Sequence, residues 1–215
     1  VLDLTVERIL QIVYRFMENR DKEAVFDKEK QHEFSRKVAE ESLVLLKNDG
    51  ILPLKKEQKI AFIGQYAKKP RYQGGGSSHI NSYKVTGALE LVKDMPNVLF
   101  AEGYNDQEDK VDGKMVEEAV KAAKEAEVAV VFAGLPDAFE SEGYDRTHMQ
   151  MPKSPNHLIE EFVKVQPNVV VVLHNGSPVE MPWISKVKGV LEAYLGGEAV
   201  GEAEYRILFG EVNPS

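Results

Sequence analysis

The apolar positions of this chain fall into two kinds of run. Val128-Ala129-Val130-Val131-Phe132-Ala133-Gly134 and Val169-Val170-Val171-Val172-Leu173 are unbroken and short. An unbroken apolar run of this length predicts a strand buried on both faces, the signature of a parallel sheet. The segments between such runs repeat at helical spacing. Gly113 to Ala126 is rich in Ala, Glu and Lys and predicts a helix. Ser154 to Val165 predicts another, with Ser154 as N-cap and Pro155 at the first helical position. The same reading gives a strand over Lys59–Gly64, a helix over Thr86–Lys93, strands over Val98–Ala101 and Gly189–Ala193, and a closing helix over Glu198–Phe209. Strands alternating with helices predict an α/β fold, a three-layer α/β/α sandwich around a mostly parallel sheet with right-handed crossovers.

The N-terminal quarter has a different texture. Leu4, Ile9, Ile12, Val13 and Phe16 recur at helical spacing and predict an amphipathic helix up to Asn19. The segment 20–30 is polar and reads as a linker. A second helix is expected from Gln31 to Lys47, with Phe34, Val38, Ser42 and Leu45 on one face, stopped by Asn48-Asp49-Gly50. Ile51-Leu52-Pro53-Leu54 is then extended, because a residue before proline avoids the helical region. The expected organisation is a connecting helix and linker over 1–30 and a sandwich domain over 31–215.

Composition narrows the partners. The chain has 215 residues, 43% hydrophobic and 29% charged, enough for one domain with a sizeable core. Its 35 acidic and 27 basic residues give a formal net charge of −8. That balance argues against nucleic acid as a partner, which demands a concentrated positive face. The longest basic run, Lys68-Lys69-Pro70-Arg71, reads as a solvated loop. With no cysteine, thiolate nucleophiles, disulfides and cysteine metal sites are excluded. The same absence fits a reducing compartment, so a cytoplasmic location is favoured. No stretch has the apolar length of a membrane span, and Val1-Leu2-Asp3-Leu4 does not have the form of a signal peptide. The chain is expected to be a piece of a longer polypeptide.

Candidate chemistry sits at strand ends. Open α/β sheets bind ligands beyond the carboxyl ends of their strands. Behind the strand at Val128–Gly134 comes the acidic loop Phe139-Glu140-Ser141-Glu142-Gly143-Tyr144-Asp145-Arg146. Either its two glutamates are solvated loop charges, one of them paired with Arg146, or one is a general acid whose pKa is raised by partial burial beside the other. Asp145 and Arg146 are expected to pair and fix the loop's shape. Gln73-Gly74-Gly75-Gly76-Ser77-Ser78-His79 lacks the lysine of a phosphate loop and the spacing of a dinucleotide fingerprint. It reads as a flexible turn or as the rim of a polar substrate site. His79, His148 and His174 lie on separate segments and are expected to play ordinary polar roles rather than to bind metal. His174-Asn175-Gly176-Ser177-Pro178 is a turn at the same sheet edge, and no Gly-x-Ser-x-Gly elbow is present.

Taken together, Ala39 through Leu54, Ile60-Ala61-Phe62-Ile63-Gly64, Gly74–Ser78, Glu142-Gly143-Tyr144-Asp145-Arg146 with Met149 and Met151-Pro152, Val170 through Val179, Pro182-Trp183 and Leu208 through Ser215 resemble, in order, the second domain of glycoside hydrolase family 3. The resemblance implies a six-stranded α/β sandwich from a retaining exo-β-glycosidase of β-glucosidase type, using no cofactor and no metal. It implies Glu142 as general acid/base, with Glu140 as the alternative, and Gly74, Gly75, Gly76, Ser77, Ser78 and Glu140 as substrate-binding residues. The partner it implies is a (β/α)-barrel domain of the same polypeptide, which carries the aspartate nucleophile. The family's nucleophile motif, of Ser-Asp-Trp type, is absent here, and Leu4–Asn19 resembles the barrel-to-sandwich connection. Retaining chemistry uses two carboxyl groups about 5–5.5 Å apart, so this piece alone is expected to be inactive. The last helix is more polar than the family's and is expected to pack less tightly. Two other readings stay open: a non-catalytic module that binds carbohydrate or another small ligand, and, by fold analogy alone, a nucleotide-binding domain.

Overall fold

The computed structural model describes residues 1–215. In chain order its helices are α1 (Leu2–Asn19), α2 (Lys28–Ser42), α3 (Ala88–Val92), α4 (Gly113–Glu125), α5 (Lys153–Phe162) and α6 (Val200–Leu208). Its strands are β1 (Val44–Asn48), β2 (Ile60–Ile63), β3 (Val98–Ala101), β4 (Val128–Gly134), β5 (Val169–His174) and β6 (Gly189–Glu192). They form one six-stranded sheet in the order β1-β6-β5-β4-β2-β3. All neighbours are parallel except β1 and β6, which run antiparallel.

Every residue of β4 and β5 is buried, which is why those segments read as unbroken apolar runs. Alternate side chains go to opposite faces. Phe62, Val130, Phe132, Val170, Val172 and Leu191 pack with Ala39, Val92, Val200 and Leu208 from α2, α3 and α6. Ala61, Ile63, Val131, Val171 and Leu173 pack with Ala123, Leu158 and Phe162 from α4 and α5, and with Trp183. Each such buried valine or leucine contributes roughly 1.5–3 kcal/mol over its exposed state, and together they form the two cores of a three-layer sandwich.

Several boundaries differ from the sequence reading. The expected helix to Lys47 ends at Ser42, and Val44–Asn48 is an edge strand instead. Leu43 is fully buried, and Leu45 N–H donates to Ser215 O at 3.0 Å while Ser215 N–H donates to Leu43 O at 3.0 Å. A four-residue apolar run fits a helix end or a short strand equally well by pattern, and pairing with β6 decides it. Phe34 and Val38, two of the four residues expected on one face of that helix, are exposed; His32, Ala39 and Glu40 are its buried residues. The linker is shorter than expected, since α2 starts at Lys28 with Asp27 as its cap. Pro152, not Ser154, holds the N-cap position of α5, and Ser154 lies buried inside that helix. Helix α6 does not pack loosely: Val200, Ala203, Glu204, Ile207 and Leu208 are all buried. Of its polar residues, Glu204 is buried and Glu202 turns toward α2, with Oε1 2.9 Å from His32 Nε2. No residue of α1 is buried.

The strand order matters for the site. From β2 the chain crosses to β3 on one side and then to β4 on the other. The loops leaving β2 and β4 therefore diverge, opening a crevice at the carboxyl edge, where sheets of this kind hold ligands.

Candidate active site

Three loops meet in that crevice. The first follows β2 and carries Arg71 and Gly74–Ser78. The second follows β4 and carries Glu140–Arg146. The third follows β5, whose register with β4 sets Gly134 beside His174, so that Asn175–Pro178 lies against the acidic loop. They enclose a cleft of about 610 Å³ lined by Arg71, Gly74, Gly75, Glu140, Glu142, Arg146, His148 and Gly176, among others.

The glycine-rich and acidic loops touch directly. Gly75 pairs with Ser141 in a parallel bridge, and Ser141 pairs with Tyr144. Ser77 N–H donates to Glu142 Oε2 at 2.6 Å. The glycines make this approach feasible: a Cβ on Gly76, whose φ is +84°, would lie 2.5 Å from Glu142 Cβ. The turn expected to approach a ligand spends its freedom on the acidic loop instead.

The two glutamates sit in different environments. Glu142 is exposed, and hydrogen bonds from Ser77, side chain and backbone, hold its carboxyl below the ordinary range. The burial beside a second carboxylate expected for a general acid is not present at this residue. Glu140 is half-buried. Burial pushes its carboxyl up, but hydrogen bonds from Arg71, Ser177 and Gly176 outweigh burial and leave it lowered. Arg71 Nη1 donates to Glu140 Oε2 at 2.5 Å, Arg71 Nη2 to the Glu140 carbonyl at 2.9 Å, and Gly176 N–H to Glu140 Oε2 at 2.9 Å. Neither the Asp145–Arg146 pair nor a Glu–Arg146 pair forms. Arg146 instead donates to Ser177 Oγ at 3.1 Å and to the Pro178 carbonyl at 2.5 Å.

Four buried polar residues in this region take parts that the sequence reading does not give them. Arg71 was read as a solvated loop cation, yet only 7% of it is exposed. Its signal was position: a single arginine next to the glycine turn, facing a loop with Asp137 and Glu140. Glu192 ends an otherwise apolar strand, and an acid at such a position is itself a signal. It accepts from Tyr194 N–H at 3.1 Å and Asn175 Nδ2 at 3.3 Å, and burial pushes its carboxyl up to about 7. His174, given an ordinary polar role, is fully buried below the cleft with Nε2 3.1 Å from Oε1 of the equally buried Glu204. Glu204 could have been found from its place on the apolar face of α6, in step with Val200 and Leu208. His79 and His148 are exposed and lie apart from it.

A family model described as the glycosyl hydrolase family 3 C-terminal domain matches residues 43–215. The chain belongs to glycosyl hydrolase family 3. Over its whole length this family 3 chain is 54% identical to thermostable β-glucosidase B of Acetivibrio thermocellus. Over 88% of its length it is 43% identical to an exo-α-(1→6)-L-arabinopyranosidase of Bifidobacterium longum. Among solved structures, the family 3 β-glucosidase of Bifidobacterium adolescentis superposes with a TM-score of 0.85 at 41% identity, over 90% of this chain. The chain spans 29% of the Acetivibrio enzyme, 27% of the arabinopyranosidase and 29% of the adolescentis enzyme. The three-layer sandwich with its mostly parallel sheet is thus the C-terminal domain fold of the family.

Proposed function

We propose that this domain supplies the general acid/base of a retaining exo-glycosidase, with Glu142 as the proton-handling carboxylate. The observation that carries the reading is the docking of Glu142 against the glycine-rich loop in the cleft at the switch point between β2 and β4. Glu142 and Asp145 both line the cleft exposed and free of a cationic partner, but of the two only Glu142 is docked on the glycine-rich loop. In the first half-reaction its carboxyl O–H gives a proton to the glycosidic oxygen as the C1–O bond breaks and a carboxylate elsewhere in the polypeptide bonds to C1. In the second, the Glu142 carboxylate takes a proton from water as the water oxygen attacks C1 and the enzyme carboxylate leaves. Glu142 is lowered in this chain, so the protonated form that starts the cycle calls for an added cover. A bound sugar together with a barrel domain would desolvate it and raise it.

The names of two relatives support a substrate class. One is named a β-glucosidase and another an α-L-arabinopyranosidase. The two anomeric labels describe the same equatorial placement of the leaving group on a pyranose ring. The proposed substrate is therefore a terminal pyranoside with an equatorial aglycone, bound in part by Gly74–Ser78 and Glu140. The residues 1–30 connect to the barrel domain, and the unburied apolar residues of α1, Leu4, Ile9, Ile12 and Phe16 among them, are surface for it to cover.

In the full-length enzyme, Glu142→Gln should slow hydrolysis of alkyl glycosides by about a hundredfold or more. Activated aryl glycosides, whose leaving groups need no proton, should suffer far less in their first step. Equal loss across both substrate classes contradicts the acid role. The present chain by itself should show no turnover of either class, and measurable hydrolysis by it would contradict the two-part assignment.

A further inference from the structure

We propose that Arg71 is a positioning residue for the acid/base loop, acting through Glu140; the proposal rests on Glu142 as the proton-handling group. The guanidinium is a fork with three of its nitrogens engaged on one loop. Nε donates to Asp137 Oδ1 at 3.0 Å, Nη1 to the Glu140 carboxylate and Nη2 to the Glu140 carbonyl. Only the Glu140 pair is withdrawn from water: the side chains of Arg71 and Glu140 are 6% and 19% exposed, against 68% for Asp137. A buried pair of this kind is tightly coupled, because removing one member leaves the other charged and uncompensated.

The consequence lies in what Glu140 holds. Its carboxylate also takes the Gly176 N–H, so one side chain joins the loops that follow β2, β4 and β5. Six residues later Arg146 ties the far end of the acidic loop to Ser177 and Pro178. Between these posts Ser141–Asp145 forms an arc, and Glu142 rides on it. The arc's ties to the β2 loop are the Ser77 N–H bond to Glu142 and the Gly75–Ser141 bridge. Arg71 and the glycine turn lie on the same loop, so a single segment grips the arc at its foot and at its crown. Glu140, pinned by three donors, serves as the foot and not as the proton donor. With Arg71 gone the foot is a half-buried, unneutralised carboxylate, and the arc shifts relative to the glycine turn. A displacement of about 1 Å at a reacting group can lower a rate by about a hundredfold.

The test uses the full-length enzyme with Arg71→Ala, Arg71→Lys, Glu140→Gln and the Arg71→Ala/Glu140→Gln double variant, each assayed on alkyl and activated aryl glycosides. Arg71→Ala should lower kcat/KM for alkyl glycosides by about tenfold to a hundredfold, chiefly in kcat, and far less for aryl glycosides. Arg71→Lys keeps the charge without the fork and should fall between wild type and Ala. The double variant should be no worse than Arg71→Ala alone, as two members of one coupled pair require. Should Arg71→Ala fail to fold, the Lys and Gln variants carry the same comparison. Equal losses on both substrate classes, no loss, or a double variant whose losses multiply would overturn the proposal. Glu142→Gln separates the two levels. If it shows leaving-group dependence and the Arg71 variants do not, the positioning role alone falls; if it shows none, both fall.

Discussion

At the scale of single residues, the acids of this domain are sorted by what surrounds them. Glu142 is wet and lowered by Ser77, Glu140 is lowered by an arginine and two further donors, and Glu192 is raised to about 7 because burial outweighs its hydrogen bonds. For Glu192 the sign of the pH effect follows directly. Its carboxyl binds a proton more tightly folded than unfolded, so the stability it contributes is complete below about pH 4.5 and is lost as the pH rises through about 7. Glu192→Gln removes that dependence. The stability of the wild type relative to the variant should fall by on the order of 3 kcal/mol between those pH values and be level outside them. Urea denaturation of both proteins across that range measures it, and a difference that does not change with pH contradicts the assignment. The residue scale was also where the sequence was hardest to read. Arg71 and Arg146 are ordinary surface residues by composition. Only the tertiary neighbours Glu140 and Ser177, each more than thirty positions away from its arginine except through the fold, reveal what they do.

At the scale of elements, the pattern gives five of the six strands, edge strand β3 among them, and misses edge strand β1. The runs in β4 and β5 are buried on both faces, so their pattern leaves no ambiguity and by itself puts the loops that follow them at the carboxyl edge. By contrast Val44–Lys47, most of β1, reads as the end of a helix, because its few apolar residues carry no period long enough to choose. Its partner, β6, lies more than a hundred residues downstream. The glycine-rich loop lines the cleft and touches the acidic loop there. Here Gly76→Ala makes a sharp test. The new Cβ would meet Glu142 Cβ at 2.5 Å and Oε2 at 2.8 Å, on a backbone with φ at +84°. Gly50→Ala carries similar backbone strain, φ +77°, with nothing within 4 Å. Both should cost about 1–2 kcal/mol of stability by strain. In the full-length enzyme only Gly76→Ala should also lower kcat/KM, by about tenfold or more. Equal activity in the two variants would show that the contact with Glu142 is incidental.

At the scale of the whole molecule, the α/β sandwich, its membership of family 3 and the convergence of two loops were all readable from ordered motifs, since alternating buried strands and helices leave few topologies. The second carboxylate that the proposed reaction calls for is assigned by the proposal to another part of the polypeptide. The chain spans 29% of the Acetivibrio relative, and its N-terminal helix buries none of its residues. On the proposed function, the cleft is one wall of a two-part site, with the proton handled on this wall. Chemical rescue tests that claim most directly. In the full-length enzyme with Glu142→Ala, an activated aryl glycoside should still load the enzyme but release its sugar slowly. Added azide, a nucleophile that needs no general base, should then speed turnover and appear in the product as a glycosyl azide of retained configuration. Rescue of that kind by Glu140→Ala, with none by Glu142→Ala, would contradict the account.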